Sequence, residues 1–218
     1  MNDGAISQCR ATRIVTLSAP TMNQPADLDP SELELLLSRA AKGDSSAWRS
    51  VVGLFAPRIH GLVRAHCLDH NLAEEITQST LCTVAAKIGA YIESGRFESW
   101  VFRIAMNRLR DEMRRRARQA RSMPDDAMQA MHAAKTANPA LGEDVRRSLE
   151  TALARLSEGD REIIELRHLG GMSFRALSDY YEEPIGTLLA RHHRALRKLK
   201  GLLEGLGIDG SDVGAVGS

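Results

Sequence analysis

Apolar residues recur at three- and four-residue steps in two blocks of the chain, from Leu33 to Met113 and from Val145 to Leu202, separated by an aperiodic stretch of Met, Ala, Asp and Pro. Steps of that size are the signature of helices that must each bury one side. No segment alternates with a period of two, and no repeat of solenoid length occurs. The fold class expected is therefore all-α, two small helical domains joined by a flexible linker.

Residues 1–28 are rich in Ser, Thr, Asn, Pro and Asp, which predicts a disordered N-terminal extension; Met22 is an alternative start. A first domain is expected over 29–121. Asp29, Pro30, Ser31 and Glu32 form a capping-box signal for a helix carrying Leu33, Leu36, Leu37, Ala40 and Ala41, which Gly43 and Asp44 end. A second helix is expected over about 46–68, bent at Pro57, with Trp48, Val51, Val52, Phe55, Ile59, Leu62 and Val63 inward. A third, about 72–88, turns Ile76, Leu81, Val84 and Ala85 to the same core, and 89–99 reads as a loop. The fourth starts near 97–100 and ends in the arginine cluster at 114–118. Val101, Ile104, Ala105, Leu109 and Met113 form its inward side, and Arg103, Asn107, Arg110 and Arg114 form a separate cationic stripe.

A linker is expected over 122–143, where Pro124, Asp125, Asp126 and Pro139 interrupt any pattern. The second domain, 144–204, resumes with Val145, Leu149, Ala152, Leu153 and Leu156. A turn follows at Ser157, Glu158 and Gly159, then a helix over 160–168 and a break at Gly170 and Gly171. A short helix capped by Ser173 runs to Tyr181, a tight connection is made by Glu182, Glu183 and Pro184, and a last helix covers about 186–203. The tail, 205–218, is expected to be flexible.

Charge decides what kind of partner is open to such a chain. With 29 Lys plus Arg against 28 Asp plus Glu the formal net charge is +1, which excludes a uniformly basic coat, so any nucleic-acid surface must be local. Of the cations 24 are Arg and 5 are Lys, a bias that suits bidentate recognition of phosphate or guanine but that a GC-rich genome would also produce. Cys9, Cys67 and Cys82 are odd in number and form no CxxC pair, which points to a reducing compartment with neither a disulfide framework nor a thiolate zinc site. The run Ile14, Val15, Thr16, Leu17 is too short for a signal peptide and no later stretch could span a bilayer, so a cytoplasmic protein without membrane insertion is expected. His66, Cys67, His70 and Cys82 invite a metal reading. However, Asp69, His70 and Asn71 read as a helix end and no acid completes a site. With no nucleophile triad, glycine-rich phosphate cradle or paired catalytic carboxylates, neither an enzyme nor a cofactor or metal is expected.

A short helix, a three- or four-residue turn and a longer helix with a basic outer side form a helix-turn-helix pattern. In the last helix Leu188, Ala195, Leu199 and Leu202 share one side with His192. Thr187, Arg191, Arg194 and Lys198 share another, flanked by His193 and Arg197, and no acid occurs between Gly186 and Lys200. A solvated face is the plain alternative for either cationic stripe. Two of them, divided by a linker, suggest two modules gripping one extended polyanion.

Particular residues then carry a family resemblance. Leu72, Ala73, Glu74, Glu75, Ile76, Thr77 and Gln78, followed by the segment from Phe97 to Asn107, resemble region 2 of the extracytoplasmic-function (ECF) subfamily of sigma-70 family RNA polymerase sigma factors. Leu153 to Leu156 with Asp160 to Ile163, and Pro184 to Thr187 with Arg191 and His193 to Ala195, are similar to their region 4. The resemblance implies an alternative sigma factor that binds core RNA polymerase, recognises −10 and −35 promoter elements and assists melting, with an anti-sigma factor as a further partner. It places core docking on Glu74, Glu75 and Gln78, where Ser79 and Leu81 depart from the family pattern. It places −10 contacts on Arg103, Asn107, Arg108 and Arg110, a base pocket near Phe97, Trp100 and the Glu98–Ser99 backbone, and phosphate attraction on 114–118. It places −35 contacts on Thr187, Arg191, His193, Arg194 and Arg197, with departures at Glu182, Leu189 and Ala190. The linker would thread through the polymerase, where Asp125 and Asp126 would mimic nucleic-acid charge or serve solubility. The rival reading is a helix-turn-helix regulator that never acts as a polymerase subunit; it would need a dimerisation helix or a ligand pocket, and the sequence shows neither.

Overall fold

The computed structural model describes residues 30–67, 69–91, 94–121 and 143–208. The Asp29 cap, the N-terminal extension, Asp125 and Asp126 in the linker, and the last part of the tail lie outside the described residues. The chain divides into two compact units between Pro124 and Asp125. Among the described residues every regular element is helical.

The first unit holds α1 (Pro30–Ala41), α2 (Ser45–Cys67), α3 (His70–Lys87), a 3₁₀ turn (Ile88–Ala90) and α4 (Phe97–Arg121). Gly43, with φ of 88°, closes α1 in the left-handed conformation that only glycine adopts without strain. Asp44 then makes the corner. Its Oδ1 accepts from the Ser46 and Ala47 amides at 2.8 and 3.1 Å and from the Ser46 hydroxyl, capping α2, while its Oδ2 receives Nε and a terminal nitrogen of Arg39 at 2.9 and 2.7 Å. These bonds, the one from the Ser46 hydroxyl foremost, hold the Asp44 carboxyl far below the usual carboxylate range. Pro57 lies inside α2, as expected, where it withholds one amide from the helical ladder.

Val51, Phe55, Ile59, Leu62 and Val63 of α2 are buried as the spacing predicts, but Trp48 and Val52 are only partly covered and Ala47 takes the inward place. In α3 the buried line is Leu72, Ala73, Ile76, Thr77, Thr80 and Val84; Leu81 and Ala85 sit at its edge. Thr77 can be buried because its hydroxyl donates to the Ala73 carbonyl at 2.7 Å within the same helix. In α4 the core side is Phe97, Val101, Phe102, Ala105, Met106 and Leu109, with Ile104 half-buried and Met113 42% exposed. Met113 is turned out because the far end of α4 instead offers Glu112 and Arg116 to the start of α3, where Arg116 meets Asp69 Oδ2 at 3.0 Å.

The second unit holds α5 (Glu143–Ala154), α6 (Glu158–His168), α7 (Phe174–Tyr181) and α8 (Ile185–Glu204), with α8 packed against the other three. Ser157, Glu158 and Gly159 do not form the separate turn expected: Ser157 is the cap of α6, its hydroxyl accepting from the Asp160 amide at 3.3 Å, and the other two residues begin the helix. Ser173 caps α7 as predicted, accepting from the Ala176 amide at 3.0 Å. The core is Ile163, Leu166, Met172, Leu177, Leu188 and Ala195, each almost fully buried.

Candidate nucleic-acid interface

On α4 the four- and three-residue steps from Arg103 to Asn107, Arg110 and Arg114 bring these side chains to one side of the helix, where Arg103, Asn107 and Arg114 are exposed and Arg110 is half-covered. Arg110 reaches Asn107 Oδ1 at 3.4 Å, and Asn107, Arg110, Asp111 and Arg114 line a shallow depression of about 550 Å³. Asp111 tempers the stripe, lying 3.5 Å from Arg114 with both side chains well exposed, so the pair is easily exchanged for other partners. Arg108 is not part of this surface. It turns toward α3, where a terminal nitrogen donates to Thr83 Oγ1 at 2.5 Å.

The start of α4 is fixed by a group that sequence reasoning missed. Arg58 of α2 forms an ion pair with Glu98, the two side chains being 10% and 21% exposed, and its guanidinium lies 5.3 and 4.9 Å from the ring centres of Phe55 and Phe102. Burial pulls the Arg58 guanidinium below its ordinary value, against the opposing pull of Glu98. Beside this pair Phe97 is 1% exposed and meets Phe55 edge-on at 5.3 Å. Its ring belongs to the core in this structure and is not open to a base. Trp100 is half-buried and stacks on Tyr91 at 5.0 Å with an 18° interplanar angle. Nothing in the spacing marked Arg58, because its partner stands 40 positions further along the chain.

The acidic face expected on α3 is present. Glu74, Glu75 and Gln78 are exposed, and Gln78 Nε2 donates to Glu74 Oε1 at 3.0 Å. The arginine cluster that ends α4 is less available than its sequence suggests. Arg115 and Arg116 both bind Glu112, at 2.6 and 3.0 Å, and Arg116 also holds Asp69; Arg114 and Arg118 are exposed. The histidines and cysteines of the metal reading scatter. His70 packs edge-on against His60 at 5.1 Å, the Cys67 thiol donates to the Asp69 carbonyl, and Cys82 is exposed. Among the described residues no group of three or more His, Cys, Asp or Glu could hold a metal ion.

In the second unit α7, the connection at 182–184 and α8 make a helix-turn-helix. Glu182 takes the left-handed conformation, φ 58° and ψ 35°, and the Ser178 hydroxyl ties the turn by donating to the Glu183 carbonyl at 2.6 Å. Leu188, Ala195 and Leu199 anchor α8, while Thr187, His193, Arg194 and Arg197 are exposed. Arg191 and Lys198 differ from them. Arg191 is held by both oxygens of Glu183 at 2.7 and 2.8 Å and lies 5.5 Å from the Tyr181 ring centre, and Lys198 is paired with Asp160 at 2.5 Å. Those acids come from the turn and from α6, so the acid-free stretch between Gly186 and Lys200 did not reveal them. On the inner side His192 meets His168 with Nε2 atoms 3.0 Å apart and Phe174 edge-on at 5.4 Å; burial, followed by neighbouring positive groups, lowers both imidazoles. Two exposed faces, each mixing guanidinium with polar side chains on a rigid helix, are what reading and gripping nucleic acid requires.

Comparison with known proteins fits this division. The chain matches the family model for Sigma-70 region 2 over residues 51–119 and that for Sigma-70, region 4 over residues 146–199. It is 28% identical over 180 residues to the ECF RNA polymerase sigma factor SigK of Mycolicibacterium vanbaalenii, covering 79% of this chain and 91% of that one. It is 26% identical to the ECF RNA polymerase sigma factor SigW of Bacillus subtilis, covering 74% and 93%. In fold it is similar to the sigma factor RpoE of Bartonella quintana, solved with the anti-sigma factor NepR, at a TM-score of 0.55 and 24% identity, covering 72% of this chain and 96% of that one. With both regions present in family order, each forming its own helical unit, the chain belongs to the ECF sigma factors of the sigma-70 family.

Proposed function

We propose that this chain is an alternative sigma factor that binds core RNA polymerase, selects promoters through −10 and −35 elements and assists opening at the start site. The observation that carries the reading is the presence of both sigma regions in order in one chain, each with an exposed cationic helix face. The chain has no catalysis of its own: bond formation belongs to the polymerase, with which it works in the cytoplasm. Among the described residues no helix is long and apolar enough to cross a membrane.

The first unit, 29–121, takes the core polymerase on the Glu74, Glu75 and Gln78 face of α3, where exposed carboxylates suit a basic helical partner. Its α4 stripe takes the −10 strand. Arg103, Arg110 and Arg114 hold phosphates, and Asn107, steadied by Arg110, offers an amide to a base edge. Trp100 and the backbone at Glu98 and Ser99, locked by Arg58, form one wall for an extruded base, a step that costs a few kcal/mol and gains from a rigid receptacle. Arg108 acts from behind, bracing α4 on Thr83. The second unit, 144–204, places α8 in the −35 major groove, with Thr187, His193, Arg194 and Arg197 outward and Arg191 fixing the turn through Glu183. The residues between the units span them inside the polymerase. An anti-sigma factor, of the kind bound to the Bartonella relative, is the expected regulator.

Reconstitution tests this reading. The purified chain is mixed with core polymerase and a genomic promoter library and transcript starts are mapped. A set of shared start sites that vanishes without the chain is expected; duplex binding without initiation would instead make it a conventional regulator.

A further inference from the structure

The outward crest of α8, formed by Gly186, Ala190, His193 and Arg197, separates two unlike flanks. One carries Thr187, Arg194 and Lys198. The other carries Ile185 and Leu189, one helical turn apart and 43% and 46% exposed. Packing does not account for them, since Leu188 fills the core at this level with no exposed surface. Two branched aliphatic side chains left in water on successive turns imply a partner with apolar surface, and their neighbours say which. His193, Arg194 and Arg197 stand exposed within two turns on the same helix, and of the two acids of the adjoining turn, Glu182 and Glu183, the second is already engaged by Arg191. An apolar protein groove would have to accept guanidinium groups alongside. The DNA major groove presents both complements together, phosphates at its walls and the thymine C5-methyl on its floor.

We infer that Leu189, supported by Ile185, is a specificity residue that packs on a thymine methyl in the upstream promoter element, with Ala190 small enough to let the helix approach. The element then requires a T·A pair at one or two adjacent positions beside the base pair that meets Arg194. This inference rests on the proposed function, which puts α8 in the major groove.

Full-length chain with core polymerase is used to select duplexes from a promoter library randomised across the upstream element. The enriched duplex is resynthesised with deoxyuridine replacing each thymidine in turn, which deletes one methyl and nothing else. Replacement at one or two positions should weaken closed-complex binding about fourfold, the worth of one buried methyl. Leu189→Ala, at an exposed site where folding is not at stake, should bind thymidine and deoxyuridine duplexes alike. An enriched element indifferent to uracil everywhere, or a Leu189→Ala variant that keeps the full discrimination, overturns the inference while the sigma reading stands. A Leu189→Ala variant that instead loses binding to core polymerase without DNA assigns the face to a protein and also overturns it. If no upstream element is enriched at all, the sigma reading itself has failed.

Discussion

Replacing Glu183 with glutamine should make promoter binding more sensitive to salt. A guanidinium that neutralises a DNA phosphate releases close to one counterion, so log K falls by about 0.9 for each tenfold rise in salt per contact. Arg194 is exposed on α8 and should contribute in full. Arg191 lies 2.7 and 2.8 Å from the Glu183 oxygens, so moving it to a phosphate trades one anion for another and strands a carboxylate facing DNA. Between about 50 and about 200 mM salt, a span of roughly 0.6 log unit, one contact changes affinity by a factor of about 3.5, or about 0.7 kcal/mol. Over that span Glu183→Gln should lose about 3.5-fold more affinity than the parent and Arg194→Ala about 3.5-fold less, while Arg191→Ala tracks the parent. Fluorescence anisotropy of closed complexes, formed with core polymerase below the opening temperature, gives the three slopes. The pair's side chains are 28% and 32% exposed, so glutamine should also cost the second unit about 0.5–1 kcal/mol of stability. The reasoning fails if Arg191→Ala flattens the salt dependence as much as Arg194→Ala does while Glu183→Gln leaves it unchanged.

Four further outcomes are expected. Glu182→Gly should stabilise the second unit by up to about 1 kcal/mol, the relief of a left-handed glutamate exceeding the entropy that glycine adds to the unfolded chain; a lower melting temperature would refute it. Arg58→Ala strands Glu98 in a half-buried place and empties the gap between Phe55 and Phe102, so the first unit should lose about 3–5 kcal/mol in denaturant titration, with a loss under about 1 kcal/mol counting against the anchor. Because burial lowers His168 and His192, the unfolded chain binds their protons first. The second unit is then fully stable above the ordinary imidazole value of about 6.5 and weakens as pH falls below it, and a His168→Asn, His192→Asn double variant should show a flatter melting profile across that window. Asn107→Ala should slow promoter opening, read by permanganate reactivity, while closed-complex affinity changes less than threefold, roughly the worth of one neutral hydrogen bond; equal losses in both would remove Asn107 from the base-reading role.

Features that depend on neighbours in sequence were legible in advance, and those that depend on tertiary partners were not. Gly43 with Asp44, Ser173 and the α7–α8 turn announce themselves because caps and left-handed positions are local chemistry. The inward side of α3 lies one position from the apolar pattern because Thr77 and Thr80 count as polar in it, although both are buried and the Thr77 hydroxyl satisfies its own helix, so that this threonine packs like valine. Both cationic stripes were legible as stripes. Their thinning by Asp160 and Glu183 was not, since these carboxylates arrive from α6 and from the adjoining turn, and Asp69 reaches Arg116 from outside α4 in the same way; Glu112, which holds Arg115 and Arg116, stands one turn away on α4 itself. Arg108 illustrates the same limit. It adjoins Asn107 in sequence, yet a 100° step carries it round to Thr83.

Acid should dismantle the first unit from its far side inward. Asp69 and Glu112, which join the start of α3 to the end of α4, are held below their ordinary values by fewer donors than Asp44, which draws on Arg39, the Ser46 hydroxyl and two backbone amides at once. As protons accumulate, the α3–α4 joint therefore lets go while the elbow between α1 and α2 keeps its charge.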